Sequence, residues 1–255
     1  MFVIKYKNFF FLLSTILIVG SIISLVMYGL KLGTDFTGGS ILEVTYSDVR
    51  PEVEVIREAL VPLNFGATVQ LAGEQDVIVR FKTLTEEEHQ TVVKTLPSGV
   101  DQQAPTEKRF SSIGPVLGKE LARKGILAIS LVVILIILFI AFAFRKVSRP
   151  VSSWKYGVVA FIALLHDLII PIGLFSYLGA TKGYEIDALF LTGLLTILGL
   201  SIHDTIVVFD RIRENLKKNI SPIFAETVGR SLSETFSRSI NTSLTIILVL
   251  LVIFF

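Results

Sequence analysis

Apolar residues along this chain fall in long blocks rather than in alternation with polar ones. Five blocks are long enough to cross a bilayer as a helix, which takes roughly 20 residues. They run from about Phe9 to Leu30, Gly125 to Phe144, Tyr156 to Leu178, Ala188 to Phe209, and Arg238 to Phe255. The first block is uncharged from Asn8 to Leu30. It exceeds the apolar core of about 7–15 residues in a secretion signal, and no small-x-small cleavage pattern ends it. It reads as a retained membrane anchor.

Between the first two blocks the pattern changes period. Gly39 to Tyr46 is β-rich, and Pro51 to Leu60 places Val53, Ile56 and Leu60 at helical spacing. Ala67 to Leu71 and Asp76 to Phe81 read as strands around Gly73-Glu74-Gln75. Leu84 to Leu96 reads as a helix opened by Thr83, with a run of glutamates that suits its N-terminal dipole. Glu107 to Ile113 reads as a last strand. The order β-α-β-β-α-β predicts a small α+β domain of ferredoxin-like type.

Composition sharpens the class. Hydrophobic residues make up 52% and charged residues 18%, against about 25% charged in ordinary globular chains. The net charge of +2 is too small to suggest a nucleic-acid partner. Cysteine is absent, which excludes disulfides, thiol catalysis and cysteine metal sites. Basic residues crowd the short flanks of alternate blocks: Lys5 and Lys7; Arg145, Lys146, Arg149 and Lys155; Arg211, Arg213, Lys217, Lys218 and Arg230. The loop after the third block holds only Lys182, beside Glu185 and Asp187. The positive-inside rule then puts the N-terminus in the cytoplasm and the segment 31–124 outside.

Polar residues at membrane depth carry the candidate chemistry. A charged aspartate at a helix centre costs about 2.5–3.5 kcal/mol on insertion scales, and such residues often mark ion or proton paths. Asp204 lies two-thirds along the fourth block, and Arg238 opens the fifth. Antiparallel neighbours bring the two to similar depth, where they can pair. A basic neighbour favours the charged carboxylate and burial favours the neutral one, so separating the pair switches proton affinity. The alternative is a static ion pair that fixes helix packing. His166-Asp167 sits mid-block, with Pro171 removing the helical partner of the Asp167 carbonyl. It reads as a proton relay or hinge, or as an interhelical hydrogen bond. His203 points about 100° away from Asp204 and reads as a packing residue or a proton shuttle.

The two His-Asp pairs are each adjacent in sequence, so neither is expected to project its side chains to one point, and no metal site is expected. No phosphate-binding loop or nucleophile elbow is present, so neither a nucleotide nor another cofactor is expected. The run from Asp210-Arg211 to Asn215 suits an interfacial helix with its arginines near anionic lipid. Gly33-Thr34-Asp35-Phe36-Thr37-Gly38-Gly39 reads as a tight turn into the first strand, or as a partner contact.

These stretches resemble the SecD/SecF family of protein-export membrane proteins, part of the RND superfamily. The family carries G-x-D-F-x-G-G after its first helix, matched by Gly33, Asp35, Phe36, Gly38 and Gly39. It carries His-Asp in the third helix, matched by His166-Asp167. Its G-Y-S-[IL]-N-D-[TS]-[IV]-V-V-x-D-R-I-R-E-N signature corresponds to Gly199 through Asn215, with Leu200 and His203 in place of Tyr and Asn. An arginine before a small-polar run matches Arg238 to Ser243.

The resemblance spans nearly the whole chain. It implies a polytopic α-helical inner-membrane protein with one extracytoplasmic ferredoxin-like domain. It implies six membrane helices where this sequence shows five, so a piece of a longer protein or a chain without its last helix is expected. The expected parts are 1–30 as N-terminus and first helix, 31–124 as outer domain, and 125–255 as the remaining helices and loops. It also implies a non-enzymatic subunit that pairs with SecD, associates with the SecYEG channel and uses proton flow to draw preproteins outward. Asp204 and Arg238 then belong to the proton pathway, and His203 either shifts the pH range of coupling or leaves it alone. The competing functions are an RND-type exporter of small molecules or lipids, which usually holds both halves in one chain, and a non-transporting scaffold.

Overall fold

The computed structural model describes residues 2–99, 103–143 and 152–254. Arg145, Lys146 and Arg149, from the second basic flank, lie outside the described residues, as do Phe144 and Phe255. The chain forms two compact units. One comprises Lys31–Leu127 with Glu185–Leu191, and the other Met1–Leu30, Ala128–Tyr184 and Thr192–Phe255. A sequence cut at 31–124 does not contain the short segment Glu185–Leu191, which the chain returns to the first unit from far downstream.

The first unit is built on four strands: β1 (Gly39–Thr45), β2 (Thr68–Ala72), β3 (Asp76–Phe81) and β4 (Thr106–Ile113). They lie in the order β2-β3-β1-β4, every neighbouring pair antiparallel. Two helices follow β1 and β3: α4 (Val53–Leu60) and α5 (Glu86–Thr95), giving the expected βαββαβ order. Alternation along β1 and β3 sends Leu42, Val44, Val77 and Val79 inward, where they meet Ile56, Leu60 and Val92 at full or near-full burial. Lys108 is the extra residue of a bulge between β4 and β1. Its Nζ reaches both carboxylate oxygens of Asp76 on β3, at 2.8 and 2.7 Å.

The start of α5 differs from expectation. The cap is Thr85 rather than Thr83: its Oγ1 accepts from the Glu88 N–H at 3.3 Å, and Glu88 Oε2 accepts from the Thr85 N–H at 2.7 Å. Thr83 likewise stands three residues before a glutamate, Glu86, but its hydroxyl donates to the Ile113 carbonyl at 3.3 Å, and with the helix starting at Glu86 it is Glu88 that occupies the third helical position the reciprocal box requires.

The second unit is helical. Five helices are long and apolar enough to cross a membrane among the described residues. They are α2 (Lys7–Tyr28), α6 (Pro115–Ala143), α7 (Ser153–Lys182), α8 (Ala188–Lys217) and α9 (Phe224–Phe254). The short α1 (Phe2–Lys5) belongs to this unit as well, and the short α3 (Thr34–Thr37) to the sheet unit. Three of the long helices outrun their apolar blocks. α6 begins ten residues early, at Pro115, a residue suited to a first helical position. α8 continues unbroken through Asp210 to Asn215 and on to Lys217, where a separate interfacial helix was expected. α9 begins at Phe224, so Arg238 lies inside it rather than at its start. In its polar first half Ser231, Ser233 and Thr235 satisfy their hydroxyls on the carbonyls four residues back.

Small residues bring α2 and α7 together. A Cβ placed on Gly173 would lie 2.3 Å from Ser21 Cβ and 2.4 Å from its Cα. Ser176 Oγ, on the same face, donates to the Ser24 and Gly29 carbonyls at 3.0 and 2.6 Å. Close approach at small residues replaces the hydrophobic drive that lipid removes. A second cluster joins α6, α7 and α8 through Ile140, Tyr156, Ala160, Phe209 and Ile212, all buried.

Candidate functional site

Asp204 on α8 is half-buried and lines a cavity of about 260 Å³ with Leu200, Ser201, Thr242 and Ser243. Arg238 on α9 is exposed and lines a larger one, about 730 Å³, with Leu200, Glu234, Asn241 and Thr242. Leu200, Thr242 and Ile246 border both spaces. The two site residues thus lie along one series of cavities edged by α8 and α9. They do not form the ion pair that their sequence positions suggested, and neither is ion-paired with another side chain among the described residues. α9 begins at Phe224, fourteen residues before its apolar block, so Arg238 sits inside the helix, on a space separate from that of Asp204. His203 is exposed and lines neither cavity.

Asp167 is the carboxylate with partners. Its Oδ2 accepts from Ser201 Oγ on α8, and its Oδ1 lies 2.9 Å from Nδ1 of His166. Adjacent His and Asp therefore do meet at one point, contrary to the expectation from helical rotation, because the long imidazole folds back beside the shorter carboxylate. Both side chains are 30% exposed. Ser201 stands three residues before Asp204, on one face of α8, and lines the same cavity.

Toward the end of α8 the sequence reading missed an ionic clamp. Glu234 on α9 accepts from Arg211 Nε at 2.6 Å, Asn215 Nδ2 at 2.9 Å and Arg230 Nε at 3.0 Å. Asn215, 1% exposed, also donates to Ser231 Oγ at 2.9 Å. Arg211 further donates to Glu214 at 2.5 Å. Its guanidinium is thus taken up by two carboxylates while the side chain stays partly exposed. Asp210 is exposed and reaches Arg213 at 3.6 Å. The signal in the sequence was Arg230 four residues before Glu234 on one helix face, a pair that forms at 3.0 Å. The partners of Glu234 on α8 were not legible, since nothing local states the register between two helices.

The glycine motif is a junction. Gly33 N–H donates to the Ile186 carbonyl and Ile186 N–H to the Lys31 carbonyl, both at 2.8 Å. Asp35 Oδ2 accepts from the Ala188 N–H at 2.9 Å, capping the start of α8 from a distant part of the chain. Phe36 is buried. Gly38 has φ 79° and Gly39 φ 143°, and added Cβ atoms would lie 2.6 Å from Pro115 Cα and 2.7 Å from the Phe81 carbonyl oxygen. Both positions thus require glycine on two grounds, conformation and space.

No group of three or more histidine, aspartate or glutamate side chains is placed to hold a metal ion among the described residues.

Five membrane-length helices with one antiparallel α+β unit define a multi-pass membrane protein. The chain belongs to the SecD/SecF family. The family described as "Protein export membrane protein SecD/SecF, C-terminal" matches residues 92–255, and the "SecD/SecF GG Motif" matches residues 23–48. It is 40% identical to the protein translocase subunit SecF of Thermobaculum terrenum, across 99% of this chain and 82% of that one. It is 34% identical to the protein translocase subunit SecDF of Bacillus subtilis, across 95% of this chain and 32% of that one. The crystal structure of SecDF from Thermus thermophilus superposes with a TM-score of 0.79 at 30% identity, covering 94% of this chain and 32% of that one. The chain thus spans about a third of the SecDF proteins it matches. Its relatives are subunits of protein translocases, and its place is in protein translocation.

Proposed function

We propose that this protein couples the proton gradient to protein export, with Asp204 as the group that takes up and releases the proton and Arg238 as its basic counterpart. The observation that carries this reading is a half-buried aspartate that borders a cavity and has no ion-pair partner among the described residues, with an arginine on the adjoining space. A carboxylate that is not locked in a static pair can change its protonation state when the arginine approaches or withdraws. That arrangement also weakens the scaffold reading in the form that relied on a permanent Asp204–Arg238 bridge. The protein sits in the inner membrane with its N-terminus in the cytoplasm and the sheet unit outside. It works beside SecD, as the SecDF fusions suggest, and with the SecYEG channel on a translocating preprotein.

The test is Asp204→Asn in cells and in membrane vesicles. Gradient-driven stimulation of preprotein export is lost while the subunit still co-purifies with its partners. Stimulation at the wild-type level would eliminate the proton role. A variant that fails to assemble would transfer support to a scaffold.

A further inference from the structure

The proposed mechanism leaves unused the Asp167 carboxylate, held between Ser201 and His166. We propose that Ser201 and Asp167 extend the proton path from the Asp204 cavity across to α7, with the serine hydroxyl as the relay and Asp167 as a second proton-holding site. This inference rests on the reading of Asp204 given above.

Three placements support it. Ser201 and Asp204 stand three residues apart on one face of α8 and line the same cavity of about 260 Å³. Water takes up about 30 Å³ per molecule, so that space holds several. Ser201 donates its only hydroxyl proton to Asp167, which leaves its lone pairs free to accept from the cavity side. His166 Nδ1 faces the other oxygen of Asp167. With the proton on Nδ1, the imidazole donates to Oδ1 of the carboxylate, and it still donates there once a proton is added at Oδ2. The same ring therefore accompanies Asp167 in either state of charge.

The step balances simply. A proton leaves the Asp204 carboxylic acid for water in the cavity. That water passes a proton to the Ser201 oxygen, whose own hydroxyl proton moves to Asp167 Oδ2. Asp204 ends as the carboxylate and Asp167 as the acid, with no net change of charge.

Asp167→Asn separates a relay from a packing contact. The amide oxygen still accepts from Ser201 and keeps the link between α7 and α8, but it cannot hold the transferred proton. The expected result, in vesicles carrying the whole complex, is loss of gradient-driven export stimulation by roughly tenfold or more with assembly intact. Wild-type stimulation in that variant overturns the proposal. Should Asp167→Asn fail to assemble, Ser201→Thr and Ser201→Val decide, since they share a shape and differ in the hydroxyl. Stimulation kept by threonine and lost by valine supports the relay, and equal stimulation in the two overturns it. Asp204→Asn measured alongside distinguishes the two layers. If it retains stimulation, the Asp204 reading falls and takes the relay with it. If it loses stimulation while Asp167→Asn keeps it, the relay alone falls.

Discussion

At the scale of single residues, the informative side chains are those whose surroundings leave little choice. Gly173 meets Ser21 so closely that no side chain fits between α7 and α2. Gly173→Val is expected to push the helices apart and destabilise the protein by about 1–3 kcal/mol, the usual cost of overpacking. A thermal melt in detergent reads this directly, and an unchanged melting temperature would refute the packing argument. Asn215 is instructive in another way. Its position in the long signature was visible in the sequence, but not its purpose: a buried amide that donates to Ser231 and Glu234 on the next helix. Asp204 and Arg238 stood out as polar residues in apolar surroundings. Their separation did not, because hydropathy places residues only approximately along a helix axis.

At the scale of elements, local chemistry set most boundaries and a few distant contacts set the rest. The strands of the sheet unit fall within one or two residues of the alternating stretches read from the chain. α5 is held at its start by the Thr85–Glu88 box. Thr85→Ala is expected to cost about 1 kcal/mol of stability, measured by denaturant unfolding, whereas Thr83→Ala is expected to leave that capping box in place. Helix lengths were less legible. α8 and α9 extend well past their apolar cores because charged and hydroxyl side chains find partners across the pair, as Glu234 does with Arg211 and Asn215. A hydropathy window ends where polarity begins, whereas the helix continues wherever its polar groups are satisfied.

At the scale of the whole molecule, the balance of charge predicts how stability follows pH in the unit outside the membrane-spanning helices. The hydrogen bonds from Lys108, above all, hold the Asp76 carboxyl below the usual carboxylate range. Glu86 is lowered first by Gln90 and then by His89. Groups with depressed values stabilise the fold above the ordinary carboxylate range of about pH 4, and that contribution fades as pH falls through their lowered values. Tyr46 behaves in the opposite sense. Burial pushes it up to about 12, so its neutral form favours the fold below about pH 10, and that support disappears as pH rises toward 12. The expected profile is a plateau between these limits, with Lys108→Ala flattening the acid limb when melting temperature is followed against pH. An unchanged acid limb in that variant would remove Asp76 from the account. What the sequence alone determined is the class of protein: which stretches enter lipid, which alternate as strands, and which polar residues are costly enough at membrane depth to need a purpose. These follow from local composition and period, to which solvent and backbone respond without reference to distant residues. Only the tertiary structure decided which carboxylate meets which donor. Asp167 finds Ser201, Glu234 finds Arg211, Asp35 finds Ala188, and Asp204 has no ionic partner among the described residues. Those outcomes depend on the rotation and register of one helix against another, which packing over many residues sets at once and no short motif encodes.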